Sequence, residues 1–168
     1  MTTRSSISRT ALSLAVLSAS VFAAAPAHAD LLFGAKAGPM LVSFDNVDTT
    51  DDPYNVGLMA GYEFGVLFGG LAIEAELTRS LTEGTVSATD LEVSTQGVYL
   101  SFTTAGPFYG KIKAGLMRAS LDAGALSEDE NGETYGIGAG VSAGLFRVEL
   151  EYTVVDDDVH FVSIGVVF

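Results

Sequence analysis

The 168-residue sequence contains no cysteine, which excludes disulfide bonds and an anchor attached to a lipidated cysteine. It is also poor in basic residues: eight lysines and arginines stand against 21 aspartates and glutamates. This balance argues against nucleic acid as a partner, because nucleic-acid binding needs a basic face. Beyond residue 29 the chain also lacks an apolar run near the roughly 18 residues that a membrane helix requires.

The first 29 residues have the composition of an export signal. Arg4 and Arg9 form a basic start, an apolar run covers Ala11–Ala25, and small residues at Ala27 and Ala29 flank a cleavage point. We therefore predict a signal peptide over residues 1–29 that is removed, and a single mature domain over residues 30–168. An exported chain without a membrane helix can cross lipid only as a closed barrel, which satisfies every backbone group.

Apolar residues alternate with polar or small residues through the mature chain. In the last run Val162, Ile164 and Val166 share one face, while Phe161, Ser163 and Gly165 share the other. Eight such runs occur, at residues 32–43, 55–65, 71–80, 92–103, 108–119, 135–144, 147–155 and 159–168. Their lengths suit tilted strands that cross lipid. Short breaks alternate with longer ones at 45–53, 81–91 and 120–134, and with a brief acidic one at 156–158. We predict an all-β fold, an eight-stranded antiparallel up-and-down transmembrane β-barrel whose short turns face the periplasm.

Several segments also match a known pattern: GAKAGPM at 34–40, NVGLMAGYEFG at 55–65, FYGKIKAGLM at 108–117, YGIGAGV at 135–141, RVELEYT at 147–153 and the strand ending at Phe168. In these segments the chain resembles the small eight-stranded outer-membrane barrels of the OmpA/OmpX type. The resemblance implies a monomer in the outer membrane of a Gram-negative envelope, in contact with membrane lipids and lipopolysaccharide. It also implies that Phe168 is a terminal assembly signal, through which the barrel-assembly machinery recognises the last strand.

Charged side chains fall on the inward faces of the predicted strands. They are Lys36, Glu63, Glu74, Glu76, Lys111, Lys113, Arg147, Glu149 and Glu151. The interior of an eight-stranded barrel is only wide enough for side chains to fill, and buried ions persist only when they are paired. We therefore predict a closed lumen with a structural charge network, for which inward glycines make room. The alternative is a narrow ion-conducting channel.

Most of the acidic residues lie in or beside the longer breaks. They are Asp45, Asp48, Asp51, Asp52, Glu83, Asp90, Glu92, Asp122, Glu128, Asp129, Glu130, Glu133, Asp156, Asp157 and Asp158. Such oxygen-rich clusters could hold Ca²⁺ or Mg²⁺, but no stretch has the spacing of a twelve-residue calcium loop. We interpret these residues as a solvated acidic fringe, and we predict no metal site and no cofactor.

Catalysis requires a nucleophile within reach of a base. His160 is the only histidine of the mature chain, and it faces outward, whereas the nearby Ser163 faces inward. We therefore predict no enzyme, with a lipid-modifying hydrolase as the alternative. A soluble lipocalin-like barrel is contradicted by the outward apolar row Val148, Leu150 and Tyr152. The predicted function is a structural or surface-interaction role, with acidic external loops.

Overall fold

The computed structural model describes residues 29–42, 49–82, 84–86, 89–123, 126–156 and 158–168. Its strands are β1 (Ala29–Val42), β2 (Thr49–Asp51), β3 (Tyr54–Val66), β4 (Gly69–Thr82), β5 (Gly84–Val86), β6 (Thr89–Thr104), β7 (Phe108–Ala123), β8 (Leu126–Ser142), β9 (Arg147–Asp156) and β10 (Val159–Val167). No helix long and apolar enough to cross a membrane occurs within these ranges.

The eight long strands form a closed antiparallel barrel. Each pairs with the next along the chain, and β1 pairs with both β3 and β10. At the closing seam Phe168 accepts a hydrogen bond from the Phe33 N–H at 3.1 Å and donates one to the Phe33 carbonyl at 2.7 Å. The short strands β2 and β5 extend the sheet beside β6. The predicted fold class is confirmed.

The barrel has two different ends. The turns at 67–68, 105–107 and 143–146 are short and lie at what we call the turn end, together with the start of β1. The opposite loop end carries the connections after β1, β4, β7 and β9. Of the predicted acidic fringe, Asp45, Asp48, Glu83 and Asp157 lie outside the described residues, as do residues 1–28 of the signal predicted over residues 1–29.

The prediction of a long loop over residues 120–134 is wrong. Strands β7 and β8 continue as a paired hairpin from Leu116↔Glu133 to Ala123↔Leu126. The predicted break at 81–91 likewise contains β5 and the start of β6. Alternation marks a strand only where its two faces meet different surroundings, and beyond the membrane both faces meet water. The sequence signal therefore disappears although the strand continues.

Side chains separate cleanly between the two faces of the wall. Large apolar residues are exposed on the outside of every long strand, among them Leu58, Ile73, Leu100, Ile112 and Leu150. Inward neighbours on the same strands are buried and often charged, such as Glu74, Lys113 and Glu151. A continuous apolar exterior around a charged interior is the pattern of a barrel surrounded by lipid.

Candidate functional site: the lumen and the loop end

Seven charged side chains form one ion-pair network in the middle of the lumen, which we call the central network. Its members are Lys36, Lys111, Lys113, Glu74, Glu76, Glu149 and Glu151, and all are buried. The Lys113 Nζ lies 2.7 Å from a Glu151 carboxylate oxygen and 2.9 Å from one of Glu76. Lys36 reaches the same two carboxylates. Both lysines are thereby held between the same pair of acids, as a buried ion requires.

Lys111 completes the central network on its other side. Its Nζ lies 3.0 Å from Glu74, 3.1 Å from Glu149 and 3.6 Å from Glu151. Neutral donors bind one oxygen of each of two of these acids: Ser101 donates to Glu74 at 2.6 Å, and Tyr109 donates to Glu149 at 2.8 Å. The ring of Tyr99 adds a cation–π contact with the Lys113 Nζ, 4.1 Å from the ring centroid.

The last two predicted lumen residues form a separate ion pair near the turn end. Arg147 donates to Glu63 at 2.9 Å, and both side chains are about one-fifth exposed. Thr103 donates to the same Glu63 oxygen at 3.3 Å. All nine predicted lumen residues thus lie inside the barrel. The alternation of side chains along each strand predicted which residues face inward. It did not predict which of them form ion pairs, because the partners come from strands that are distant in the chain.

Glycine lies beside every member of the central network on a neighbouring strand. The cross-strand partners are Lys36 with Gly57 and Gly165, Glu74 with Gly61, Glu76 with Gly97, Lys111 with Gly138, Lys113 with Gly136, Glu149 with Gly140, and Glu151 with Gly138. A Cβ atom added at Gly136 would lie 2.9 Å from the Lys113 Cε. The absent side chains therefore provide the volume in which the long charged ones lie.

The loop end of the lumen is filled by apolar side chains, which sequence analysis did not identify. This apolar plug consists of Met40, Val42, Val93, Met117, Ala119, Val155, Val159 and Phe161, all buried in one cluster. Every member occupies an inward-facing position near the loop end of its strand. Ordering the inward-facing residues of each strand by their distance from the loop end would therefore have predicted the plug. It separates the central network from the acidic loop end.

The space left in the network is very small. A cavity of about 10 Å³ is bordered by Lys36, Glu76, Glu149, Glu151 and Ser163, among others, and a volume of this size holds about one water molecule. A wider hollow of about 320 Å³ opens at the turn end, beside Glu63 and Arg147. The lumen is therefore accessible from the turn end and blocked above by ion pairs and the plug.

Five of the acidic residues at the loop end are exposed, whereas Glu92 is half-buried. The exposed ones are Asp52, Glu130, Glu133, Asp156 and Asp158. Within the described ranges no three histidine or acidic side chains converge as a metal site would require. The Arg79 guanidinium lies 3.8 Å from a Glu92 carboxylate oxygen. Because this ion pair is accessible to solvent, it contributes little to the free energy of unfolding.

The candidate base and nucleophile face opposite sides of the barrel wall. The His160 ring stacks on Tyr152, an exposed residue, with 5.5 Å between ring centroids. Ser163 is buried and borders the small cavity of the lumen. Because the wall separates them, these two side chains cannot share a substrate.

Comparisons with known proteins agree with this architecture. A family model described as "Outer membrane protein beta-barrel domain" matches residues 10–168. Neisserial surface protein A is similar in structure, with 14% identity over 83% of this chain and 97% of its own, at a TM-score of 0.51. The attachment invasion locus protein Ail of Yersinia pestis, solved with the heparin analogue sucrose octasulfate, has 19% identity over 84% and 99%, at a TM-score of 0.50. No curated protein sequence matches the chain.

Proposed function

Since this chain belongs to the outer membrane protein β-barrel family and lies in the cell outer membrane, we propose that it is a non-enzymatic surface-interaction protein. Its loop end then faces the outside, because the short turns of such barrels face the periplasm. The closed lumen acts as scaffold, and binding takes place on the elements that project from it. Rigid scaffolds commonly carry their binding residues in this way.

The observation that carries this proposal is the unpaired edge of β8. Pairing of β8 with β9 begins only at Tyr135↔Val154, whereas pairing with β7 continues to Leu126. Among the described strands, none pairs with the second side of β8 between Leu126 and Thr134. An edge strand of this kind can accept an extended segment of another protein as an added strand.

Charge defines the kind of segment that this edge fits. The edge carries Glu128, Asp129, Glu130 and Glu133 within a few residues. A partner strand with lysine or arginine side chains would place opposite charges across the new pair, which stabilises strand pairing. The proposed partner is therefore an extended basic segment. Ail was solved with a sulfated sugar analogue, and such a polyanion would be repelled by this acidic edge.

The proposal is tested with the refolded barrel and two synthetic peptides, one of alternating lysine and valine and one of alternating glutamate and valine. We expect the basic peptide alone to bind, and to slow amide hydrogen exchange between Leu126 and Thr134. Replacement of Glu133 by lysine should weaken binding about tenfold. The matched variant Asp52→Lys alters net charge equally at the loop end, but Asp52 precedes β3, which does not neighbour β8, so this variant should bind as the wild type does.

Two results would contradict the proposed edge. Equal weakening by both lysine variants would mean that the peptide responds only to overall charge. Exchange protection elsewhere than on β8 would mean that it binds another surface.

The remaining expectations are part of the same proposal. We propose that residues 1–29 are removed on export, that the barrel is monomeric, and that the last strand with Phe168 is recognised by the barrel-assembly machinery. Lipopolysaccharide and membrane lipids are the proposed neighbours of the apolar exterior. The opposite placement of His160 and Ser163 supports the absence of catalysis, and the plug supports a lumen that does not conduct ions.

A further inference from the structure

A long groove crosses the lipid-facing side of the barrel. Its floor is formed by the outward side chains of Ala35 and Ala37 on β1, and its volume is about 760 Å³, within the range of small-molecule sites. Larger apolar side chains on the neighbouring strands form its walls: Leu58, Leu77, Val148, Ile164 and Val166. The groove exists because β1 carries alanine where its neighbours carry branched residues.

The groove has a direction set by the strand register. Arg79, Val56, Ala37 and Ile164 are successive cross-strand partners from β4 to β10. Because strands of such barrels tilt by roughly 40°, a row across them descends from the loop end toward the turn end. Val166 and its β9 partner Val148 continue the lining, so from β4 to β9 the groove spans roughly 19 Å at the usual strand spacing. This is the length scale of an extended fatty acyl chain.

A single cation lies at the loop end of this groove. The Arg79 side chain is 76% exposed, and its one described ion pair, with Glu92, is long. A guanidinium at the membrane boundary matches a lipid phosphate, which it can contact through two parallel hydrogen bonds. A second surface hollow, beside Arg118, is lined by Leu116, Met117, Asn131, Gly132 and Glu133, and it lacks the row of apolar side chains that lines the groove.

We propose that this groove is a binding site for one acyl chain of a phosphorylated outer-leaflet lipid, lipopolysaccharide, whose phosphate contacts Arg79. The site deepens the lipid contact of the proposed function and does not depend on the β8 edge. The groove is lined mainly by apolar side chains, lies within the lipid-facing belt and ends at the Arg79 cation. A lipid with one acyl chain in the groove and its phosphate at the boundary satisfies all three features.

The experiment uses the full barrel refolded into phosphatidylcholine vesicles containing a minor fraction of diphosphorylated lipid A. After gentle extraction, native mass spectrometry counts the lipid retained per barrel. We expect one lipid A per wild-type barrel and about tenfold less retention in Ala37→Leu, which fills the groove, and in Arg79→Gln. The matched controls Ala114→Leu and Arg118→Gln make the same changes elsewhere on the exterior and should retain lipid as the wild type does.

A dephosphorylated lipid separates the two parts of the site. In vesicles with dephosphorylated lipid A, Ala37→Leu should still retain less lipid than the wild-type barrel, whereas Arg79→Gln should retain as much lipid as the wild-type barrel. Equal retention by wild type and Ala37→Leu overturns the groove, and an undiminished Arg79→Gln effect on the dephosphorylated lipid overturns the phosphate contact. A dimer in place of the lipid adduct would assign the groove to a second copy and overturn the proposal. Variants with a shortened β7–β8 hairpin should retain lipid fully, so a failure of the β8 edge would not affect this result.

Discussion

At the scale of single residues, Lys113 is the strictest test of the lumen, because its side chain is fully buried between Glu76 and Glu151. Replacing it by methionine keeps much of its volume but removes one of the two cations that these acids share. We expect the free energy of unfolding to fall by about 3–5 kcal/mol, the usual cost of breaking a buried ion pair. Denaturant titration of the vesicle-bound barrel measures this. The exposed variant Asp156→Asn should change it by less than about 0.5 kcal/mol, and equal midpoints would contradict the network.

Glycine volume gives a second test at the same scale. In Gly136→Ala the new methyl group would lie 2.9 Å from the Lys113 side chain and 3.0 Å from the Tyr152 carbonyl oxygen. Overpacking of this kind costs about 1–3 kcal/mol. Gly110 faces outward, and no described atom lies within 4 Å of an added Cβ. Gly110→Ala should therefore unfold at the wild-type denaturant concentration, and a shared loss of stability would reject the volume argument.

Parity alone was enough to place the nine charged side chains inside the barrel, because strand geometry fixes the face of every second residue. The ion pairs could not be predicted in the same way. Lys36 contacts Glu151, which is 115 residues away in the chain, and such neighbours depend on how each strand is shifted along the next. Lys111 contacts Glu74 and Glu149, whereas Lys113, two residues further on and on the same face, contacts Glu76 and Glu151.

At the scale of elements, the β7–β8 hairpin extends beyond the end of β9 pairing, while its β7 arm stays paired with β6 as far as Ala123. Removing residues 121–123 together with 126–128 deletes strand pairs that match each other in register. We expect the shortened barrel to fold, because β7 and β8 keep their pairing through the membrane belt. It should unfold at a slightly lower denaturant concentration than the wild type, because residues 121–123 also pair with residues 91–93 of β6. Loss of the folded form in this variant would show that the hairpin supports the wall.

The same hairpin shows where sequence patterns lose their information. Within the membrane one face of each strand meets lipid and the other the lumen, so residue types alternate. Between Ser120 and Thr134 the regular alternation of apolar and polar residues is lost in the sequence, as happens where a strand has no apolar surroundings on one face. The strand is then held by its pairing with β7, which a residue pattern does not reveal. The eight membrane strands could be predicted because their residue types alternate, and the extension could not be predicted because it lacks this alternation.

At the scale of the whole molecule, closure of the wall predicts resistance to detergent. Every long strand is paired on both sides through the membrane belt, so no edge remains from which denaturation can begin. On a denaturing gel the unboiled protein should migrate differently from the boiled protein. A single position for both samples would contradict a closed barrel. Steady ion conductance in planar bilayers would contradict the closed lumen.

The oppositely charged residues of the central network lie far apart in the sequence, and this distance also affects how the protein can enter a membrane. A hairpin inserted alone would carry lysine or glutamate into lipid without an opposite charge, at a cost of about 2.5–3.5 kcal/mol for each residue. The countercharges arrive only with distant strands, as Lys36 and Glu151 illustrate. We therefore expect insertion into the membrane and closure of the barrel to occur together and cooperatively. The activation barrier should depend mainly on the last step, in which strands distant in the chain bring their opposite charges together. Insertion of an incomplete chain into a bilayer is therefore unfavourable, because its inward charges still lack their partners. The charge pattern disfavours stable insertion until the last strand is present.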